Sequence, residues 1–160
     1  GNMKLMLNGA VTIGTMDGAN VEIYNAVGKE NIFIFGMGVD QVEQLKREGT
    51  YSPWSYYQDS RSISAVIKFL ANGIPDASFG DIINSLTTGF NGEADQYLVI
   101  ADFESYKQAQ LEVSHAYRDA FRWGGMSLTN IAKSGIFSAD RSVREYADRI
   151  WGIKSLYDPV

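Results

Sequence analysis

Two short apolar runs, VTIGT at 11–15 and NIFIF at 31–35, limit what this chain can fold into more than any other feature. Both are rich in β-branched and aromatic residues and are bounded by Gly, Asp and Asn, the pattern of buried strands. Between them, DGANVEIYNAVG fits one helix. Asp17 offers a capping carboxylate, Val21, Tyr24 and Val27 recur at helical spacing, and Gly28 suits the stop. A strand, a helix and a strand in that order make a parallel pair with a right-handed crossover, the building block of doubly wound α/β sheets. Parallel strands need cover on both faces and partners along their edges, and two strands cannot meet that need alone.

From Val39 onward the pattern is helical. VDQVEQLKREG ends at Gly49, Ser52 followed by Pro53 opens a second helix, and SISAVIKFLANG and FGDIINSLTTG each close on a glycine. QYLVIA, around 97–101, reads as a short strand or, preferably, as an extended lead-in to a helix capped by Asp102. FESYKQAQLEVSHAYRDA, FRWGGMSLTNIAKSG and the segment from Ser138 to Trp151 add three more helices. On the last, Arg141, Arg144, Asp148 and Arg149 crowd one side and Val143, Tyr146, Ala147 and Ile150 the other. TTGFNGEADQ at 87–96 is the loopiest stretch, an excursion rather than a domain boundary. The expected organisation is a single truncated α/β domain over 1–160. A strand–helix–strand unit occupies 1–36 and a mainly helical remainder 37–160, with helix enough to clothe a larger sheet than the chain supplies.

With 160 residues, 45% of them hydrophobic, the chain can bury one core but not two comfortable ones. Fourteen basic against 19 acidic residues leave a net charge of -5, which argues against a grip on nucleic acid or an anionic membrane. There is no cysteine, and His115 is the only histidine, so thiolate chemistry and a zinc site of Cys or His ligands are excluded. No apolar run reaches membrane-spanning length, and a soluble, cytoplasmic protein is expected.

The chain opens GNMKLMLNG, a lysine among Met3, Leu5, Met6 and Leu7. From spacing alone Lys4 lays its stem along an apolar helix and lifts its charge to water. The wider context points elsewhere. GNMKLMLNGAVTIGTMDGANVEIYNAVGKENIFIFG, ADFESYKQAQ and MSLTNIAKSGIFSADRSVREYADRIWG together closely resemble the C-terminal end of the α-glucan phosphorylases, the glycogen, starch and maltodextrin enzymes. Their signature, Glu-Ala-Ser-Gly-x-Gly-x-Met-Lys-x-x-Leu-Asn, is matched in its second half by Gly1, Met3, Lys4, Leu7 and Asn8. Its first half is absent. The resemblance covers essentially all 160 residues and is densest over 1–36 and 127–152.

That resemblance implies the C-terminal part of a Rossmann-like domain of the GT-B type, and a cofactor, pyridoxal 5'-phosphate. Lys4 matches the lysine that holds it as a Schiff base. An amine attacks an aldehyde only when neutral, so Met3, Leu5, Met6 and Leu7 are expected to exclude water, with the positive end of the helix dipole adding to the effect. The amides of Gly1 and Asn2 match the place of the cofactor phosphate, and Asn8 either orients Lys4 or caps the helix. The implied reaction splits the terminal α-1,4-linked glucose from a glucan with inorganic phosphate, giving glucose 1-phosphate with retention, the cofactor phosphate acting as acid and base. Two phosphates held close need fixed cations. Up to residue 35 only Lys4 and Lys29 are basic, so the chain alone is expected to be inactive, with no catalytic residue of its own and no metal.

The remaining polar and aromatic residues read as structural. Asp17, Asn20 and Glu22 suit capping and early-turn positions. His115 reads as a surface residue, and Trp54, Tyr56, Tyr57, Trp123 and Trp151 as packing rather than sugar platforms. The alternative to a cofactor-dependent enzyme is a non-catalytic helical module whose exposed sheet edge and apolar helix faces pair with a second copy. In either case a homo-oligomer is expected.

Overall fold

In the computed structural model, which describes residues 1–89 and 93–154, the two apolar runs pair as expected but contract. β1 (Ile13–Gly14) and β2 (Phe33–Ile34) are two residues each. The Phe33 N–H donates to Thr12 O at 2.9 Å and the Phe35 N–H to Gly14 O at 3.1 Å, an even two-residue step on both strands that is the parallel register. A ladder is as long as its partner allows, and among the described residues each strand has one neighbour.

α1 (Asn2–Leu7) precedes β1, and α2 (Ala19–Val27) joins the strands. α2 starts one residue later than the sequence suggests. Gly18 is its N-cap, at φ +47°, and makes no side-chain cap. Asp17 instead accepts a hydrogen bond from the Thr15 hydroxyl at 3.0 Å. The face α2 buries runs through Ile23 and Val27, four residues apart, while Val21 is exposed. A 3₁₀ turn, Lys29–Asn31, leads into β2.

The helical remainder follows as α3 (Val39–Glu48), α4 (Pro53–Asp59), α5 (Arg61–Asn72), α6 (Gly80–Thr87), α7 (Phe103–Arg118), α8 (Ala120–Lys133) and α9 (Ala139–Tyr146). α3 stops on Gly49 in the left-handed conformation, Pro53 opens α4, and Ser60 caps α5 by accepting from the Ile63 N–H. α6 ends at Thr87 with Thr88 as its C-cap, one residue before Gly89. The break between α7 and α8 falls at Asp119, whose carboxylate accepts from the Arg122 N–H. QYLVIA is neither strand nor extended lead-in: Leu98 sits at φ +57° in a turn closed by its N–H to Asp95 O. The middle of the 87–96 excursion lies outside the described residues.

The chain forms two compact units. The first takes Gly1–Thr12, Gly18–Phe33 and the residues from Ala116 onward, and buries Met6, Ile23, Val27, Ile32, Phe33 and Met126. The second takes Ile13–Asp17 and Ile34–His115; Ile63, Ile67 and Ile100 form its core, packed by Tyr57, Ile83, Leu86 and Phe103. Large apolar side chains also remain outside, among them Phe121 at 94% exposure, Tyr97 at 88% and Phe69 at 73%. No helix among the described residues is long and apolar enough to cross a membrane.

Candidate functional site

α1 is short because its sequence ends it early. The Lys4 and Leu5 N–H groups both donate to Gly1 O at 3.1 Å, closing the first turn. At the other end the Asn8 side chain donates to Lys4 O at 2.8 Å. Asn8 is therefore a cap on the backbone of Lys4 and does not orient its amine. Gly9 follows at φ +83°, where a side chain is strained, and a Cβ there would come within 2.4 Å of Ser127 Oγ. The Ser127 hydroxyl donates to Gly9 O at 2.7 Å, so the end of α1 is seated directly on α8.

Asn2 ties the other end of α1 to α2. Its Nδ2 donates to Asn20 Oδ1 at 2.8 Å, and its Oδ1 accepts from the Met3 N–H at 3.0 Å. Asn20 thus has a structural task, Glu22 lies exposed in the first turn of α2, and Asp17 is engaged by Thr15.

Lys4 itself is exposed. The dry apolar surround expected of α1 is not formed by α1: Met6 alone is buried, whereas Met3 is 40% exposed and Leu5 and Leu7 are each 60% exposed. A helix of six residues turns one narrow face inward, and Met6 occupies it. What stands beside Lys4 is the turn Ser134–Phe137 that follows α8. Lys4, Met3 and Leu7 line a cavity of about 320 Å³ with Ser134, Phe137 and Ser138. A second cavity of about 620 Å³ shares Met3 and Phe137 and adds Ala19, Glu22 and Arg141.

Ser134, Phe137, Ser138 and Arg141 carry no signal at the start of the chain, since they lie some 130 positions from Lys4 in sequence. The Ser134 hydroxyl donates to Ile131 O at 2.7 Å. Ser138 is the N-cap residue of α9 and makes no side-chain cap bond. The guanidinium of Arg141 is committed: Nε donates to Ile136 O at 2.6 Å, and Nη1 pairs with Glu145, which Arg149 also approaches at 3.6 Å.

The residues expected to be structural have local partners. Trp54 stacks on Tyr57 with centroids 4.9 Å apart, Trp123 meets Tyr117 edge-on at 5.1 Å, and Trp151 tilts against Tyr146 at 5.8 Å. Tyr56 meets Tyr51 edge-on at 5.5 Å, and His115 is exposed. No group of three or more His, Cys, Asp or Glu among the described residues is placed to hold a metal ion.

The geometry can be set beside known proteins. The carbohydrate phosphorylase family model matches residues 1–153. The glycogen phosphorylase of Synechocystis sp. is 46% identical over 156 residues, 96% of this chain and 18% of that protein. Its counterpart in Bacillus subtilis is 44% identical over 98% of this chain and 19% of its own length. The liver form of human glycogen phosphorylase is 46% identical over 96% of this chain and 18% of its own length. The chain thus spans about a fifth of the length of the curated relatives it matches. With a signature lysine on α1, the strand–helix–strand unit behind it and a match running through α9, the chain belongs to the carbohydrate phosphorylase family.

Proposed function

We propose that this chain is the cofactor-lysine portion of an α-glucan phosphorylase that uses pyridoxal 5'-phosphate, and that alone it does not turn over a glucan. The observation that carries the reading is the cavity beside Lys4, one space of about 320 Å³ whose lining brings together Lys4, Ser138 and Phe137. Those residues fit the group: an amine to attach it, an aromatic face for its ring and hydroxyls for its polar edge.

Lys4 would provide the attachment. The first intrahelical bond of α1 starts at the Lys4 N–H, so the backbone nitrogens of Gly1 and Asn2 lie before it, on the side where the cofactor phosphate would sit. Met3, Leu7 and Phe137 would remove water from one side of the ring. When bound, the cofactor supplies a phosphate that exchanges a proton with the substrate phosphate. Such a pair requires cations, and among the described residues lining the two cavities the basic ones are Lys4, which is used in attachment, and Arg141, which is already held by Ile136 O and Glu145. Inorganic phosphate, an α-1,4-glucan and a cytoplasmic setting are accordingly assigned to a longer parent. The strand–helix–strand unit supports one truncated Rossmann-like domain of the GT-B type.

Incubation with cofactor, borohydride reduction and peptide mass mapping tests this. The label should collect on Lys4 above Lys29 and the terminal amine, and no glucose 1-phosphate should form from glycogen and phosphate. Label spread evenly over the amines would sink the assignment of Lys4, and steady glucose 1-phosphate formation would sink the inactivity. The self-associating module is the second reading, favoured by the exposure of Phe121, Leu128 and Ile150. A dimeric mass in solution with no preference for Lys4 would select it.

A further inference from the structure

The buried stripe of α8 and the residue just past it is polar at two of three positions where packing alone would be apolar: Met126, Asn130 and Ser134, spaced four apart, are 3%, 0% and 5% exposed. Asn130 spends Nδ2 on two backbone carbonyls, Asn31 O at 2.9 Å and Met126 O at 3.0 Å, and its Oδ1 has no hydrogen-bond partner among the described residues. A leucine would fill this position without a buried orphan acceptor, so the amide is costly as packing and makes sense as a tether. Three residues earlier, Ser127 holds Gly9 O. The two carbonyls bracket the segment from Ala10 to Glu30: Gly9 is where the chain leaves α1, and Asn31 is where it returns to β2. α1 is also held by the buried side chain of Met6 and by the Asn2–Asn20 contact.

We propose that Ser127 and Asn130 are positioning residues for Lys4: α8 fixes the backbone at Gly9 and Asn31, and so sets where the lysine helix stands over the turn Ser134–Phe137. Gly9 serves the same device, because at φ +83° its carbonyl faces Ser127 at a distance that no side chain would permit. The proposal rests on the assignment of Lys4 to the cofactor, but the clamp can be read without it.

Amide hydrogen exchange and borohydride-trapped labelling are measured on the chain as wild type, Ser127→Ala, Ser127→Thr and Asn130→Leu. In Ser127→Ala the Gly9 and Ala10 amides, which donate to Met6 O and Leu5 O, should exchange about fivefold faster, the factor that losing one net hydrogen bond gives. The α3 amides should be unmoved, and the share of label on Lys4 relative to Lys29 should fall. Ser127→Thr, which keeps the hydroxyl, should restore both. Asn130→Leu should retain overall stability yet loosen the amides around Asn31. Unchanged exchange at Gly9 and Ala10 in Ser127→Ala overturns the clamp. Faster exchange with an unchanged Lys4 share overturns its role toward Lys4. If wild type shows no preference for Lys4, the cofactor assignment fails, and the proposed role toward Lys4 fails with it.

Discussion

The Tyr51 hydroxyl donates to the carboxylate of Asp95, a side chain only 3% exposed that also accepts the Val99 and Ile100 N–H groups at 2.8 Å each. One carboxylate therefore folds the turn that leads to α7 and pins it to Tyr51, two residues ahead of α4. Burial, with the Asp95 hydrogen bond next, pushes the Tyr51 phenol well above its ordinary value of 10.0. A group whose folded pKa is raised contributes stability that is complete below its unfolded value and is lost as pH rises beyond it. Denaturant midpoints of the wild-type chain should fall from pH 10 upward, and Tyr51→Phe should flatten that fall. At pH 7 the same variant should cost about 1–2 kcal/mol, since Asp95 loses a donor but keeps two backbone amides. Equal alkaline slopes in the two proteins would contradict the assignment.

Gly9→Ala places a Cβ at φ +83° and 2.4 Å from Ser127 Oγ. The backbone strain and the lost approach should together cost about 2–3 kcal/mol. Removing the hydroxyl as well, in Gly9→Ala/Ser127→Ala, relieves the collision but not the strain, so the double variant should lose less than the sum of the singles. Urea unfolding of the four proteins measures the coupling, and strict additivity would place the two residues out of contact.

Asp119→Ala removes the cap of the helix that carries Ser127 and Asn130. The Arg122 N–H loses its acceptor, and stability should drop by about 1 kcal/mol, with Asp119→Asn close to wild type. Thermal or urea midpoints for the pair decide it: an Asn variant as weak as Ala would mean the cap is not the cause.

What could be read ahead was whatever closes within four residues. Gly49 and Pro53 mark helix ends through their own backbone conformation, and both stand where the pattern put them. Asp17 failed as a cap because Gly18, at φ +47°, turns the chain between it and α2. The strands contracted because their length depends on neighbours rather than on β-branched composition. The tethers on α8 join residues 118 and 99 positions apart, and nothing local distinguishes Ser127 or Asn130 from other polar helix residues. Lys4 stands in a readable motif, but its surround was not readable: of the apolar letters beside it only Met6 is buried, and Ser134, Phe137 and Ser138, which line the cavity with Met3 and Leu7, come from the far end of the chain.

Asp102 joins β2 to α7 through the turn that follows the strand: its Oδ1 accepts the Met37 N–H at 3.0 Å, while Ser105 Oγ accepts the Gly36 N–H at 2.9 Å. Burial raises the Asp102 carboxyl above its ordinary 3.8, the Met37 amide opposes that shift, and the charge of Asp95 adds to it. Because the folded value is the higher one, the contribution is complete below pH 3.8 and is lost as pH rises through the raised value. Asp102→Asn keeps an oxygen for the Met37 amide and has no charge to bury, so at pH 7 it should match or exceed wild type in stability. Its advantage should shrink as pH falls toward 3.8, where the wild-type carboxyl takes up its proton. Urea midpoints for both proteins at several pH values in that interval measure the difference, and an advantage that grows on acidification would mean the carboxylate is stabilised by its hydrogen bonds more than burial penalises it.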